Sequence, residues 1–81
     1  MVVEVEFFSH LRDIAGVSQV RQELPDNASV GTLLSMLYES HPKLRNWDRQ
    51  IRVAVGVEYV QRTSILQNGD IISIMPPVQG G

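Results

Sequence analysis

The amino-acid sequence predicts an α+β roll, a mixed sheet with one main helix packed on one face and a flexible C-terminal Gly-Gly tail. Three observations carry that expectation. Val2 to Phe8 alternates apolar and acidic side chains at the period of a strand. Val30, Leu33, Leu34 and Leu37 recur at helical spacing and form one apolar stripe. Ile71 to Met75 is a β-branched run cut off by Pro76-Pro77. A chain of 81 residues has room for one small core, so the helical stripe has to pack on one face of the sheet. The folded unit is expected over residues 1–75, with residues 76–81 projecting from it as a tail.

In the first strand Val3, Val5 and Phe7 share one face, and Glu4 and Glu6 share the other. Ser9 is placed to cap a short helical turn that stops at Gly16. Val17 to Leu24 reads as a second strand, closed by the turn Pro25-Asp26-Asn27. Ser29 caps the main helix, which runs to about Ser40 because Pro42 cannot continue it. Residues 42–50 read as a polar loop anchored by Leu44 and Trp47. Ile51, Val53 and Val55 alternate with Arg52 and Ala54 in a third strand, Gly56 suits a turn, and Tyr59-Val60 starts the return arm of a hairpin. Gln67-Asn68-Gly69-Asp70 marks the turn into the last strand. By analogy, this order of elements narrows the field to ubiquitin-like architectures.

Composition excludes several functions. The net charge is −2 and the seven basic residues are scattered between Arg12 and Arg62, which is no footprint for nucleic acid. The absence of cysteine removes disulfides, thiolate metal sites, cysteine-ligated iron–sulfur clusters and a cysteine nucleophile together. No apolar run approaches the ~18 residues of a membrane span. Glu4 and Glu6 interrupt the stretch where a signal peptide would lie, so the expected location is the cytoplasm.

No self-contained active site is legible. His10 and His41 lie on separate elements without metal-ligand spacing and read as surface or capping residues. Glu4 and Glu6 share a strand face but read as a solvated surface, as do Arg12 and Asp13. Asn27-Ala28-Ser29 matches a glycosylation sequon and reads as turn and cap. The chemistry points instead to the end of the chain. Pro76 and Pro77 fix φ and lack amide donors, so the chain leaves the sheet in an extended, semi-rigid form. Pro76, Pro77, Val78, Gln79, Gly80 and Gly81 can reach about 20 Å beyond the last strand. Gly80 and Gly81 carry no Cβ, so backbone alone can enter a narrow channel and deliver a terminal carboxylate to another protein's active site.

Phe7-Phe8-Ser9-His10-Leu11-Arg12-Asp13 with Gly16, Leu24-Pro25 ahead of Ser29-Val30, Val53-Ala54-Val55, Asn68-Gly69-Asp70 and Pro76-Pro77-Val78-Gln79-Gly80-Gly81 resemble one known family. It is the sulfur-carrier small subunits of molybdopterin synthase, the MoaD/ThiS-type ubiquitin-like proteins. The resemblance covers essentially the whole chain, and its last fourteen residues are the most specific part. Gly56 stands where that family usually has Asn, and Gln79 where a small residue is commoner.

The resemblance implies a β-grasp fold and a sulfur-carrier role. The chain would not be an enzyme by itself but the sulfur-donor subunit of a two-subunit enzyme. An E1-like adenylating enzyme (MoeB type) would use ATP to adenylate the Gly81 carboxylate. A sulfurtransferase would then supply the sulfur that makes Gly81 a 1-thioglycine. The large synthase subunit (MoaE type) would receive that sulfur for the dithiolene of the pterin precursor. The carrier itself would bind no cofactor and no metal. A free carboxylate is a poor electrophile and needs activation, whereas a thiocarboxylate sulfur is a good nucleophile.

In a β-grasp sheet the first and last strands lie parallel and adjacent. If Val3, Val5 and Phe7 face the helix, Phe8 faces away; if Ile72 and Ile74 point inward, Met75 points outward. Phe8, Met75 and Tyr59 are therefore expected to form an apolar docking patch at the root of the tail. Three other readings remain open at this level: a carrier for thiazole synthesis or tRNA thiolation, a ubiquitin-like modifier joined through Gly81 to lysines, and a binding module whose terminus is inert.

Overall fold

A computed structural model describes residues 1–77; Val78, Gln79, Gly80 and Gly81 lie outside the described residues. The alternating first segment forms strand β1 (Val2–Phe7), which buries Val3, Val5 and Phe7 and leaves Glu4 and Glu6 on the other face. The short helix α1 (His10–Ala15) follows and ends where Gly16 takes a left-handed conformation at φ 81°. Strand β2 spans Gln19–Glu23, helix α2 spans Val30–Ser40, and strands β3 (Arg52–Val55), β4 (Glu58–Tyr59) and β5 (Ile71–Met75) complete the chain. The mixed sheet has the order β2-β1-β5-β3-β4, with β1 and β5 parallel and the other neighbours antiparallel. This is a β-grasp sheet with one main helix on one face.

Helix α2 forms where the sequence places it. The Ser29 hydroxyl accepts the Thr32 amide, satisfying one of the otherwise unpaired donors of the first turn. Val30, Leu33, Leu34 and Leu37 join Val3, Val5, Phe7, Val53, Ile72 and Ile74 in a single buried cluster. Each of these side chains contributes about 1.5–3 kcal/mol by leaving water, so this layer holds the fold together.

Four boundaries differ from the sequence expectation. Ser9 makes no side-chain cap at α1 and sits at φ 56°, ψ −141°. Pairing fixes β2 from Gln19 rather than Val17, because its partner β1 ends one residue after Glu6, the residue opposite Gln19. The return arm pairs through Glu58 and Tyr59 rather than Tyr59 and Val60, since Ala54 and Val55 are the residues they face. Pro42–Trp47, expected as loop, is a 3₁₀ helix: Pro42 is pre-organised for its first turn, and Leu44 is buried beneath it. Trp47 is half-buried against the core, and the exposed His10 ring packs against it at 4.7 Å.

The turn before β5 is tied to the start of β1. The Asn68 side-chain oxygen Oδ1 accepts the Val2 amide at 2.8 Å, and the Val2 backbone carbonyl accepts the Gly69 amide at 2.8 Å. The Asp70 carboxylate accepts the Gln67 amide, and Gly69 takes φ 86°, where a side chain would be strained. These bonds set the register in which β5 slides in beside β1.

Candidate functional site

The open face of the sheet can be read from its registers. Residues directly opposite each other on neighbouring strands share a face, so Gln19, Glu6, Ser73, Ala54 and Tyr59 form one row across all five strands. One row closer to the exit of the chain, Met75 lies opposite Arg52. Phe8 continues β1 by one residue beyond the Phe7–Ile74 pair, and its amide donates to the Ile74 carbonyl at 3.0 Å. Phe8 and Met75 therefore stand at the same end of adjacent strands, where β5 runs out into Pro76 and Pro77. Phe8 is 36% exposed, Met75 is half-buried, and both prolines are half-buried.

Tyr59, 63% exposed, is set apart from this pair. It lies on the edge strand β4, two strands from β5, or about 10 Å at ordinary strand spacing. Arg52 and the small Ala54 occupy the strand between them. The three apolar residues expected to make one patch thus form a pair at the tail root and an outlying Tyr, with an arginine between.

A tight turn aims Phe8. The Phe8 carbonyl accepts the Leu11 amide at 3.2 Å, and Ser9 occupies the second position of this turn with a positive φ. Those angles are close to the type II′ turn position that glycine normally fills.

The remaining candidates from the sequence are structural. Glu4 accepts from Arg21 at 3.0 Å across neighbouring strands. His41 is the C-cap of α2 and packs edge-on to Phe7 with ring centroids 6.0 Å apart. Arg12 and Asp13 are exposed on α1. Among the described residues no group of three or more His, Asp or Glu could hold a metal ion. No helix among them is long and apolar enough to cross a membrane.

Two constellations escape sequence reading because they join residues far apart in the chain. In the first, the Tyr38 hydroxyl donates to Asp48 Oδ1 at 2.6 Å and Arg62 Nη1 donates to the same oxygen at 2.7 Å. Burial and the bond to Asp48 push the Tyr38 hydroxyl far above the ordinary phenol range. The Tyr38 and Arg62 hydrogen bonds hold the Asp48 carboxyl below its ordinary value. This network fastens α2 and the 3₁₀ segment to the connection after β4. In the second, Arg49, Arg52 and Arg62 gather around one recess at the sheet edge. In sequence they are merely three scattered arginines.

The family model described as the ThiS family matches residues 5–81. The chain is 35% identical over 83 aligned residues to the molybdopterin synthase sulfur carrier subunit of Chlamydomonas reinhardtii, covering 100% of both chains. Among solved structures it resembles small archaeal modifier protein 1 of H. volcanii with a TM-score of 0.87 and 28% identity, over 95% of this chain and 98% of that one. It also resembles a chain of the complex of subunits 1 and 2 of molybdopterin-converting factor from Helicobacter pylori, with a TM-score of 0.73 and 27% identity over 100% of both.

Proposed function

The chain belongs to the ThiS family, and from that membership we propose that it is the sulfur-carrier subunit of a molybdopterin synthase. The observation that carries the reading is that the family match runs to residue 81 and so includes the Gly80-Gly81 end. The Gly81 carboxylate attacks the α-phosphorus of ATP on an adenylating partner, expelling pyrophosphate and leaving an acyl-adenylate. A sulfide equivalent delivered by a sulfurtransferase then attacks the carbonyl carbon. The C–S bond forms, the C–O bond to AMP breaks, and Gly81 ends as a 1-thioglycine. On the large subunit the thiocarboxylate sulfur bonds to the pterin precursor, and water then cleaves the acyl C–S bond, which leaves the sulfur on the pterin and restores the Gly81 carboxylate. Phe8 and Met75 form the docking face that holds either partner while residues 76–81 reach its active site. The adenylation and acid–base groups belong to those partners, so the carrier contributes no catalytic side chain of its own.

The similarity to small archaeal modifier protein 1 favours one second reading, conjugation of Gly81 to lysine amines. Both readings share the adenylation step and differ in the nucleophile that follows it.

The deciding experiment is the intact mass of the protein after incubation with ATP, the adenylating enzyme of the same genome and a sulfide source, beside a chain lacking Gly81. The carrier reading expects exchange of one oxygen for sulfur in the full chain and none in the shortened one. An unchanged mass with a competent enzyme overturns it. Adducts to other proteins without sulfur exchange select conjugation.

A further inference from the structure

Strand β4 pairs with β3 through Glu58 and Tyr59, the Val60 amide still donates to the Val53 carbonyl at 3.0 Å, and from Gln61 the chain leaves the sheet. It crosses toward the start of α2, where the Arg62 carbonyl accepts the Gly31 amide at 2.9 Å. This divergence opens a recess of about 570 Å³ beside the first half of β3. Ile51 and Val53 give it an apolar floor, and Arg49, Arg52, Arg62 and Tyr59 stand around it.

The charge there is unbalanced. Arg62 is committed to Asp48, but Arg49 and Arg52 are exposed and make no ion pair among the described residues. Asp48 is hydrogen-bonded by Arg62 and Tyr38, and the charge of Arg49 is the smallest influence on its carboxyl, while Glu58 alternates to the face of β4 opposite Tyr59. A chain with a net charge of −2 thus carries at one corner two guanidinium groups that form no ion pair among the described residues. That corner adjoins the root of the tail, because Arg52 lies directly opposite Met75.

We propose that this recess receives an acidic segment of the large synthase subunit, with Arg49 and Arg52 holding its Asp or Glu carboxylates. The planar guanidinium fork matches a carboxylate in two parallel hydrogen bonds, so it fixes orientation as well as position. The apolar floor accepts the carbon stem of the acid. The apolar pair Phe8–Met75 supplies contact area without direction, and the arginines beside it determine how the partner is turned when the tail enters. This assignment rests on the docking reading above. The large subunit is the partner selected, since the H. pylori relative is a chain of a complex with subunit 2.

The test titrates the wild-type chain, R49E/R52E and F8D against the purified large subunit of the same genome, at low and at high salt, with thermal melts to verify folding. R49E/R52E is expected to bind roughly tenfold more weakly at low salt and to lose the salt dependence that the wild type shows. F8D is expected to lose binding at both salt concentrations. If R49E/R52E keeps the wild-type affinity and salt dependence while F8D loses binding, the docking face stands and the acidic anchor is overturned. If F8D also binds as wild type does, the docking reading fails and the recess assignment falls with it.

Discussion

Ser9 holds a conformation that a side chain adopts at a cost of order 1–3 kcal/mol, and it does so between Phe8 and α1. Since glycine fills this turn position without strain, Ser9→Gly is expected to raise stability by about 1 kcal/mol in urea denaturation, net of the unfolded-state entropy that glycine adds. The Asp48 network is the second local device. Its carboxylate has a lowered folded-state pKa, so its contribution is present above the ordinary carboxylate value near ~3.9 and disappears as pH falls through the lower folded value. Tyr38 is the reverse: its raised pKa favours the neutral hydroxyl, so that contribution is present below about 10 and drains away as pH climbs above it. Asp48→Asn should flatten the acid limb of the stability–pH curve and Tyr38→Phe the alkaline limb. Because the Asp48 and Arg62 side chains are 42% and 43% exposed, solvent screens the pair and the Asn variant should cost only about 1 kcal/mol at neutral pH. Curves unchanged by either substitution would show that the network does not form in solution.

At the level of elements, the Asn68-Gly69-Asp70 turn does more than reverse the chain. It grips Val2 through both of that residue's backbone groups. Asn68→Ala removes one of those bonds at an exposed site and should cost about 0.5–1.5 kcal/mol. The measurable sign is faster hydrogen exchange of the Val2 and Glu4 amides, which bond to Asn68 and to the Asp70 carbonyl respectively. Exchange protection equal to wild type would remove the turn from the control of register. This turn, β1, α2, β3 and β5 were legible in the sequence because each has a local cause: a period of two, a period of 3.6, a capping serine or an Asn-Gly pair. Pro42–Trp47 was not. Its polar residues give no periodicity, and what makes it helical is Pro42 at its start together with Leu44 packing into a core that exists only after folding. The open face was legible in part, since alternation alone sends Phe8 and Met75 outward. The distance of Tyr59 from them and the interposed Arg52 depend on strand order, which no local pattern encodes.

For the whole molecule, the order β2-β1-β5-β3-β4 places the last strand of the chain in the middle of the sheet. The core-forming Ile72 and Ile74 and the exit toward the tail are thus parts of one strand, buried on its inner face and presenting Met75 on the other. On the function proposed above, the chain needs an end that enters another protein and a body that stays outside. Here the prolines at 76 and 77 begin the first where the last sheet pairing, Met75 with Arg52, completes the second. The central position of β5 also has a mechanical side. A partner that draws the tail into a channel pulls along the axis of β5, whose hydrogen bonds to β1 on one flank and β3 on the other lie across that direction. They are loaded in shear and share the force at once, and β5 has two ladders to resist it where an edge strand has one. The carrier can therefore be tugged by its end, and released, without unravelling.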